Sequence, residues 1–255
     1  MKIGIMNNPS KSIYDEAEFC GKAGFDFLDL TIEGPYGGSV EISRLRQLLD
    51  TYGLSITGHT DPCLPFSYPI QVVRDACLQE LERCAKIFSA LGSKVMNIHP
   101  CYSCPPAMRN DMVAFNIESL GPIVEMAASY GLTVVAENYR APFDKVSTFK
   151  KLLEGVPGLK LHLDFGHTNF GFDNHEVFCR ELGHSIQHVH FSDNRSIADD
   201  HMPLGLGTID WKNAVNALKA TGYDSAITLE VLCHDPNMQH TYLDVSRKLL
   251  LELWG

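Results

Sequence analysis

The stretch Leu161-His-Leu-Asp-Phe-Gly-His-Thr-Asn169 carries an apolar alternation, Leu161, Leu163 and Phe165, that predicts a buried strand with His162 and Asp164 facing the other way. The strand pattern stops at Gly166, and His167 follows Asp164 by three positions. A carboxylate at the last residue of a strand, followed by an imidazole in the turn, is a compact arrangement for a divalent cation. The same residues also suit plainer roles, with Asp capping a following helix and His satisfied in the core or at the surface. Recurrence favours the cation, because a metal-type side chain stands at the end of one strand after another.

Working outward, strands and helices alternate from end to end. Strands are expected at Lys2 to Met6, Phe25 to Ile32, Leu54 to Gly58, Lys94 to Ile98, Leu132 to Ala136, up to Asp164, Ile186 to Phe191, and Ala226 to Leu229. Helices are expected around Ile13 to Ala23, Val40 to Tyr52, Ile70 to Leu91, Ala107 to Tyr130, Val146 to Glu154, His175 to Leu182, Trp211 to Thr221 and Met238 to Leu253. Gly24, Gly53 and Gly92 close the first three, and Gly37-Gly38 mark a turn. Pro122 predicts a kink or break near Gly121. Eight such units without a composition break predict one α/β domain over residues 1–255, a (β/α)8 TIM barrel. A doubly wound open sheet would want a Gly-rich turn after the first strand, where Asn7-Asn-Pro-Ser10 stands instead.

The chain is acidic, with a formal net charge of -10, which disfavours non-specific binding to nucleic acid or anionic membranes. No apolar run approaches the roughly 18 residues that span a bilayer. The opening Met1-Lys-Ile-Gly-Ile-Met6 is short for a signal peptide, so a cytoplasmic protein is expected. Eight cysteines (Cys20, Cys63, Cys77, Cys84, Cys101, Cys104, Cys179 and Cys233) do not make a disulfide scaffold in 255 residues, and the single CxxC at Cys101 and Cys104 is a weak metal or redox signal.

In a barrel all strand C-termini open on one face. The side chains delivered there are Glu33, His59, His99, Glu137, Asp164 with His167, His190 with Asp193, and Glu230; the loop after the seventh strand adds Asp199 and His201. Crowded carboxylates repel one another and have raised pKa values, and a bound cation is an economical way to keep them ionised.

The motifs Asn97-Ile-His-Pro100, Ala136-Glu-Asn138, Leu163 to Asn169, His188-Val-His-Phe-Ser-Asp-Asn-Arg195, Asp200 to Trp211 and Leu229-Glu-Val231 occur in order from the fourth strand to the eighth. In that combination the chain resembles the xylose-isomerase-like TIM-barrel superfamily, which holds sugar isomerases and epimerases and also endonuclease IV. The resemblance implies one divalent ion (Mn2+, Zn2+, Mg2+ or Co2+) on Glu137, Asp164, His190 and Glu230, with Glu137 and Glu230 as the acid/base pair. It implies a metal-dependent isomerase or epimerase of a small sugar, keto-sugar or polyol, phosphorylated or not, working by proton transfer through an enediolate. Arg195, Asn138 and Asn169 are the candidate substrate-binding groups, with Phe66, Tyr102, Phe170 and Trp211 as an aromatic wall.

The alternative is an abasic-site DNA endonuclease with three zinc ions, whose ligand set corresponds by resemblance to those four residues together with His59, His99, His167, Asp199 and His201. Cys101 in place of a glycine, Leu206 in place of Glu, and Asp200 in place of an arginine depart from that branch. Charge also counts against it. The loops of that face offer only Lys11, Arg109, Arg140, Lys145 and Arg195, few cations for gripping a bent duplex. A third reading is a barrel that binds a metal and a small ligand without turnover. The loop from Ser192 to Trp211, roughly 20 residues, is long for a βα connection and is expected to cover the site.

Overall fold

The computed structural model describes residues 1–37, 39–232 and 235–255, so Gly38 of the expected turn and Cys233 lie outside the described residues. Eight parallel strands, β1 (Lys2–Met6), β2 (Phe27–Ile32), β3 (Ser55–Thr60), β4 (Val95–Ile98), β5 (Thr133–Glu137), β6 (Lys160–Asp164), β7 (Ile186–Phe191) and β8 (Ala226–Leu229), pair in chain order. The ring closes where Lys2 to Ile5 of β1 pair with Ala226 to Leu229 of β8. The helices are α1 (Ile13–Lys22), α2 (Gly34–Gly37), α3 (Ile42–Tyr52), α4 (Gln71–Leu91), α5 (Met112–Ser129), α6 (Val146–Gly155), α7 (Phe165–Phe170), α8 (His175–Leu182), α9 (Trp211–Ala220) and α10 (Pro236–Trp254). This is the expected (β/α)8 barrel.

Closure explains the strand sequences. With helices outside and side chains filling the inside, both strand faces are buried, as in β2, where all six residues are. The residues of β2, β6 and β7 that face inward include Asp29, His162, Asp164, His188 and His190, each at most 1% exposed. Their alignment depends on a register shift. Leu161 pairs with Ile186, but His162 pairs with His188, leaving Gln187 exposed as the extra residue. Because strand side chains alternate with period two, that extra residue puts His162 beside His188 and Asp164 beside His190 on the inner face.

Three local expectations change. Pro122 neither breaks nor ends α5, which runs unbroken from Met112 to Ser129; buried Leu120 and Ile123 hold it across the lost hydrogen bond. The start of that segment is a 3-10 turn, Pro106–Asp111. His59 is the fifth residue of β3 rather than the residue after it. Among the described residues every cysteine is free, and Cys101 of the CxxC is buried, with its backbone N–H and C=O both bonded to the Asn116 side chain.

Glycine marks where helix and barrel touch. A Cβ on Gly58 of β3 would run into the ring of Phe88 in α4, which is fully buried. Overpacking of this kind costs about 1–3 kcal/mol. Gly58→Ala should therefore lower the urea midpoint and the thermal midpoint, by a few degrees at least; an unchanged melting curve would contradict the close α4–β3 contact.

Candidate metal centre

Glu137 ends β5, Asp164 ends β6, His190 is the fifth residue of β7, and Glu230 immediately follows β8. All four are buried, and one ligand atom from each lies within 4.8 Å of the others. Among the described residues Glu137 Oε1 and Asp164 Oδ2 have no hydrogen-bond partner. Buried carboxylate oxygens that make no hydrogen bond are costly unless a cation takes them up, so three carboxylates and one imidazole fit a divalent ion of the Mn2+, Mg2+, Co2+ or Zn2+ type. Both sequence readings of Asp164 hold together. Its Oδ1 caps α7 by accepting from the His167 N–H at 2.7 Å, while Oδ2 is left for the ring.

Above the ring lies a cavity of about 180 Å³. Its walls include Glu33, His59, His99, His167, Asp199, His201 and Glu230, with Tyr139, Thr31 and Met6. The structure thus brings together every strand-end residue expected there except Asp193. His99 Nε2 stands 3.4 Å and His167 Nδ1 3.3 Å from Glu137 Oε1. His59, His99 and Glu137 form a second cluster with metal-ligand spacing. His167 donates Nδ1–H to the Asn138 carbonyl at 2.7 Å and faces Asp199 through Nε2 at 3.0 Å. His201 lies 3.4 Å from Asp199 and 3.7 Å from Glu230. Its φ of 47° is left-handed, a conformation that costs a non-glycine residue roughly 1–2 kcal/mol and is found at functional sites. The Leu232 N–H, donated to the His201 carbonyl at 3.0 Å, helps to hold it.

Asp193 is the exception because it turns inward to organise the loop. It is fully buried and accepts from the Gly205 N–H (2.9 Å), the Ile209 N–H (3.3 Å) and the Trp211 indole N–H (2.9 Å). It therefore anchors the segment that carries Asp199 and His201 to the mouth. Arg195 does not line the cavity; its side chain is 62% exposed and forked onto Asp200, with Nη2–Oδ1 2.9 Å and Nε–Oδ2 3.1 Å. Asn138 is occupied in tying β5 to β6, exchanging side-chain bonds with the Asp164 backbone at 2.7 and 2.9 Å. Asn169 donates to Asn194 and Thr208, both at 2.9 Å. Of the aromatic residues, Phe66 is buried and Trp211 serves Asp193, whereas the Tyr139 ring lines the cavity. Tyr139, directly after Ala136-Glu-Asn138, is the wall that the sequence reading passed over.

The profile of the family described as "Xylose isomerase-like TIM barrel" matches residues 17–251. The chain belongs to that family. An uncharacterized protein of Methanocaldococcus jannaschii is 28% identical over 259 residues, covering 90% of this chain and 83% of its own. A second from the same organism is 26% identical over 240 residues, covering 90% and 92%. Among solved structures, a D-tagatose 3-epimerase-like protein superposes with a TM-score of 0.89 at 25% identity, covering 99% of this chain and 97% of that one. An L-ribulose 3-epimerase superposes at 0.84 with 19% identity, covering 99% and 94%.

Electrostatics in this xylose isomerase-like barrel divide the ring. Burial pushes the Asp164 carboxyl up to about 8, with Glu230 and Glu137 adding to the rise against His167 and His190. Burial would raise Glu137 too, but His99, His162 and His190 outweigh it and hold that carboxyl well below its usual range. Glu230 is likewise brought down to about 2, as His201 and His190 overcome burial. Burial opposes protonation of His190, yet Glu230 and Asp29 raise it well above an ordinary histidine. Without an ion, Asp164 and His190 therefore both hold a proton near neutrality. A cation must displace them, so uptake should release protons and tighten as pH rises toward about 8. Calorimetry of Mn2+ binding in buffers of different ionisation enthalpy, at pH 6.5 and 8.5, checks this; the same affinity and no proton release at both would contradict it.

Proposed function

We propose that this protein is a divalent-metal-dependent isomerase or epimerase of a small uncharged keto-sugar. The observation that carries the reading is the buried set of Glu137, Asp164, His190 and Glu230, which meets a small cavity through Glu230. Support comes from the D-tagatose 3-epimerase-like structure at 25% identity. The ring would hold one ion, which when bound polarises a carbonyl and the adjoining hydroxyl and so acidifies the neighbouring C–H.

Glu137 and Glu230 are the proton carriers in this reading. They come from β5 and from the end of β8, and the histidines beside them lower both carboxyls, which favours the ionised form needed of whichever glutamate acts as the base. One, as the carboxylate, takes the proton from the carbon beside the carbonyl, giving an enediolate of the sugar, and the other, which enters the step carrying a proton taken up from solvent, delivers it from the opposite side. Asn97 donates to Glu137 Oε2, which fixes that carboxylate with Oε1 toward the cavity histidines. His201, charged through its contacts with Asp199 and Glu230, has an Nδ1–H without a hydrogen-bond partner that can be donated to a sugar oxygen, His167 holds Asp199 in place, and the Tyr139 ring offers an apolar face. No Lys or Arg lines the cavity among the described residues, while Glu33, Asp199 and Glu230 do. That charge pattern favours a neutral sugar over a phosphorylated one.

One observation favours a second reading, the three-zinc nuclease: His59, His99 and Glu137 offer a further cluster beside the first. The available cations weigh against it. Lys11 lies 3.6 Å from Glu16 and Arg195 is engaged by Asp200.

Two measurements decide. Metal analysis of the purified protein should give about one ion per chain; about three, with incision of abasic DNA, would favour the nuclease. Over a panel of ketoses in D2O, the wild type should wash deuterium into one C–H of the productive sugar. Glu137→Gln should lower that exchange by at least about 100-fold, and wild-type exchange in the variant would remove Glu137 from the mechanism. His59→Ala should keep its ion; loss of both metal and activity would favour the multi-metal site.

A further inference from the structure

Below the ring, in the middle of β2, stands a carboxylate that none of the proposed steps uses. Asp29 is fully buried in the otherwise apolar run Phe27-Leu-Asp-Leu30. An ionised group in such a place is costly unless it is paired and hydrogen-bonded. Its Oδ2 meets three donors: His190 Nε2 at 2.8 Å, Thr228 Oγ1 at 2.8 Å, and His188 Nε2 at 3.2 Å. Oδ1 has no partner among the described residues.

The two ends of His190 face different surroundings. Nε2 points down to Asp29, while Nδ1 points up, 3.0 Å from Glu230 Oε2 and 3.8 Å from Asp164 Oδ2. Only Nδ1 can serve an ion in the ring, and it can do so only with a lone pair there and the remaining proton on Nε2. A carboxylate on the far nitrogen enforces that tautomer, fixes the plane of the ring and raises the basicity of the ligating nitrogen.

We propose that Asp29 is the positioning residue of the metal centre: it holds the His190 Nε2–H, braced by Thr228 and His188, so that Nδ1 is presented to a divalent ion. The proposal rests on the reading of Glu137, Asp164, His190 and Glu230 as the metal ring. It explains why β2 spends a core position on a charge. It also gives His188 a task, which is to bond Asp29 from the same strand face as His190, two residues away.

The test uses the full chain, stripped of metal and titrated with Zn2+ and Mn2+ against a chromophoric chelator. Asp29→Asn keeps the shape and removes the charge, and should weaken affinity about 10- to 100-fold. The melting temperature of the metal-free protein should move little by comparison. In the Zn2+-loaded wild type, 15N-resolved imidazole spectra should hold a slowly exchanging Nε2–H resonance that disappears in His190→Gln and shifts in Asp29→Asn. Thr228→Val removes one brace and keeps the carboxylate, and should cost roughly 2- to 10-fold; it carries the test alone if Asp29→Asn does not fold. Wild-type affinity and an unshifted Nε2–H resonance in the variant that folds would overturn the role of Asp29. A wild-type protein that binds neither ion would overturn the metal ring itself, and the role of Asp29 with it.

Discussion

The structure depends on keeping several like charges buried in one low-dielectric place. Glu137, Asp164 and Glu230 converge at the top of a closed barrel with almost no exposure to water, and Asp29 lies just beneath. Carboxylates that close cannot all ionise unaided. Two devices answer the problem. Imidazoles are set among the acids, so that His190 links Asp29 to Glu230, and His99 and His167 flank Glu137. Glu137 Oε1 and Asp164 Oδ2 still make no hydrogen bond among the described residues, and in the proposed reading a cation is the second device that takes them up. Asp164, with its carboxyl pushed up to about 8, is where the imidazoles do not suffice.

The fold supplies the geometry this requires. Strand ends in a closed barrel converge without any loop having to be ordered first, which suits ligands that must hold close tolerances. The ring draws on three strands and on the residue following a fourth. Groups that line the cavity come partly from the β7–α9 loop, and that loop is itself fixed by Asp193, turned inward onto Gly205, Ile209 and Trp211. A Cβ on Gly207 would collide with Asp193 and with the Asn194 carbonyl, so the Gly205-Leu-Gly207 turn is part of the same clasp. Strand ends held by the barrel, with a clasped loop beside them, make a cavity whose walls are fixed by the protein's own contacts.

Much of this was legible in the sequence, for a physical reason: strand and helix periods differ, and polar residues ending apolar strands stand out. Glu137, Asp164, His190, His59 and His99 could be read in this way, and they meet where expected. Asp29 could not, because it sits inside an apolar strand rather than at its end; the signal was a lone carboxylate in Phe27-Leu-Asp-Leu30. The shift that pairs His162 with His188 leaves no mark in the alternation of either strand alone. Asp193 and Arg195 were read as mouth residues because sequence gives position but not side-chain direction. One turned to the loop backbone and the other to Asp200. The short helices α2 and α7 escaped because a single turn is set by capping rather than by period.

The central claim, that one divalent ion is held by residues from four consecutive barrel segments, is tested most directly by anomalous diffraction from crystals of the protein grown with Mn2+. The account predicts a single strong anomalous peak enclosed by Glu137, Asp164, His190 and Glu230, with the His190 contact through Nδ1. Density elsewhere, or an ion held by His59 and His99 with the ring left empty, would contradict it.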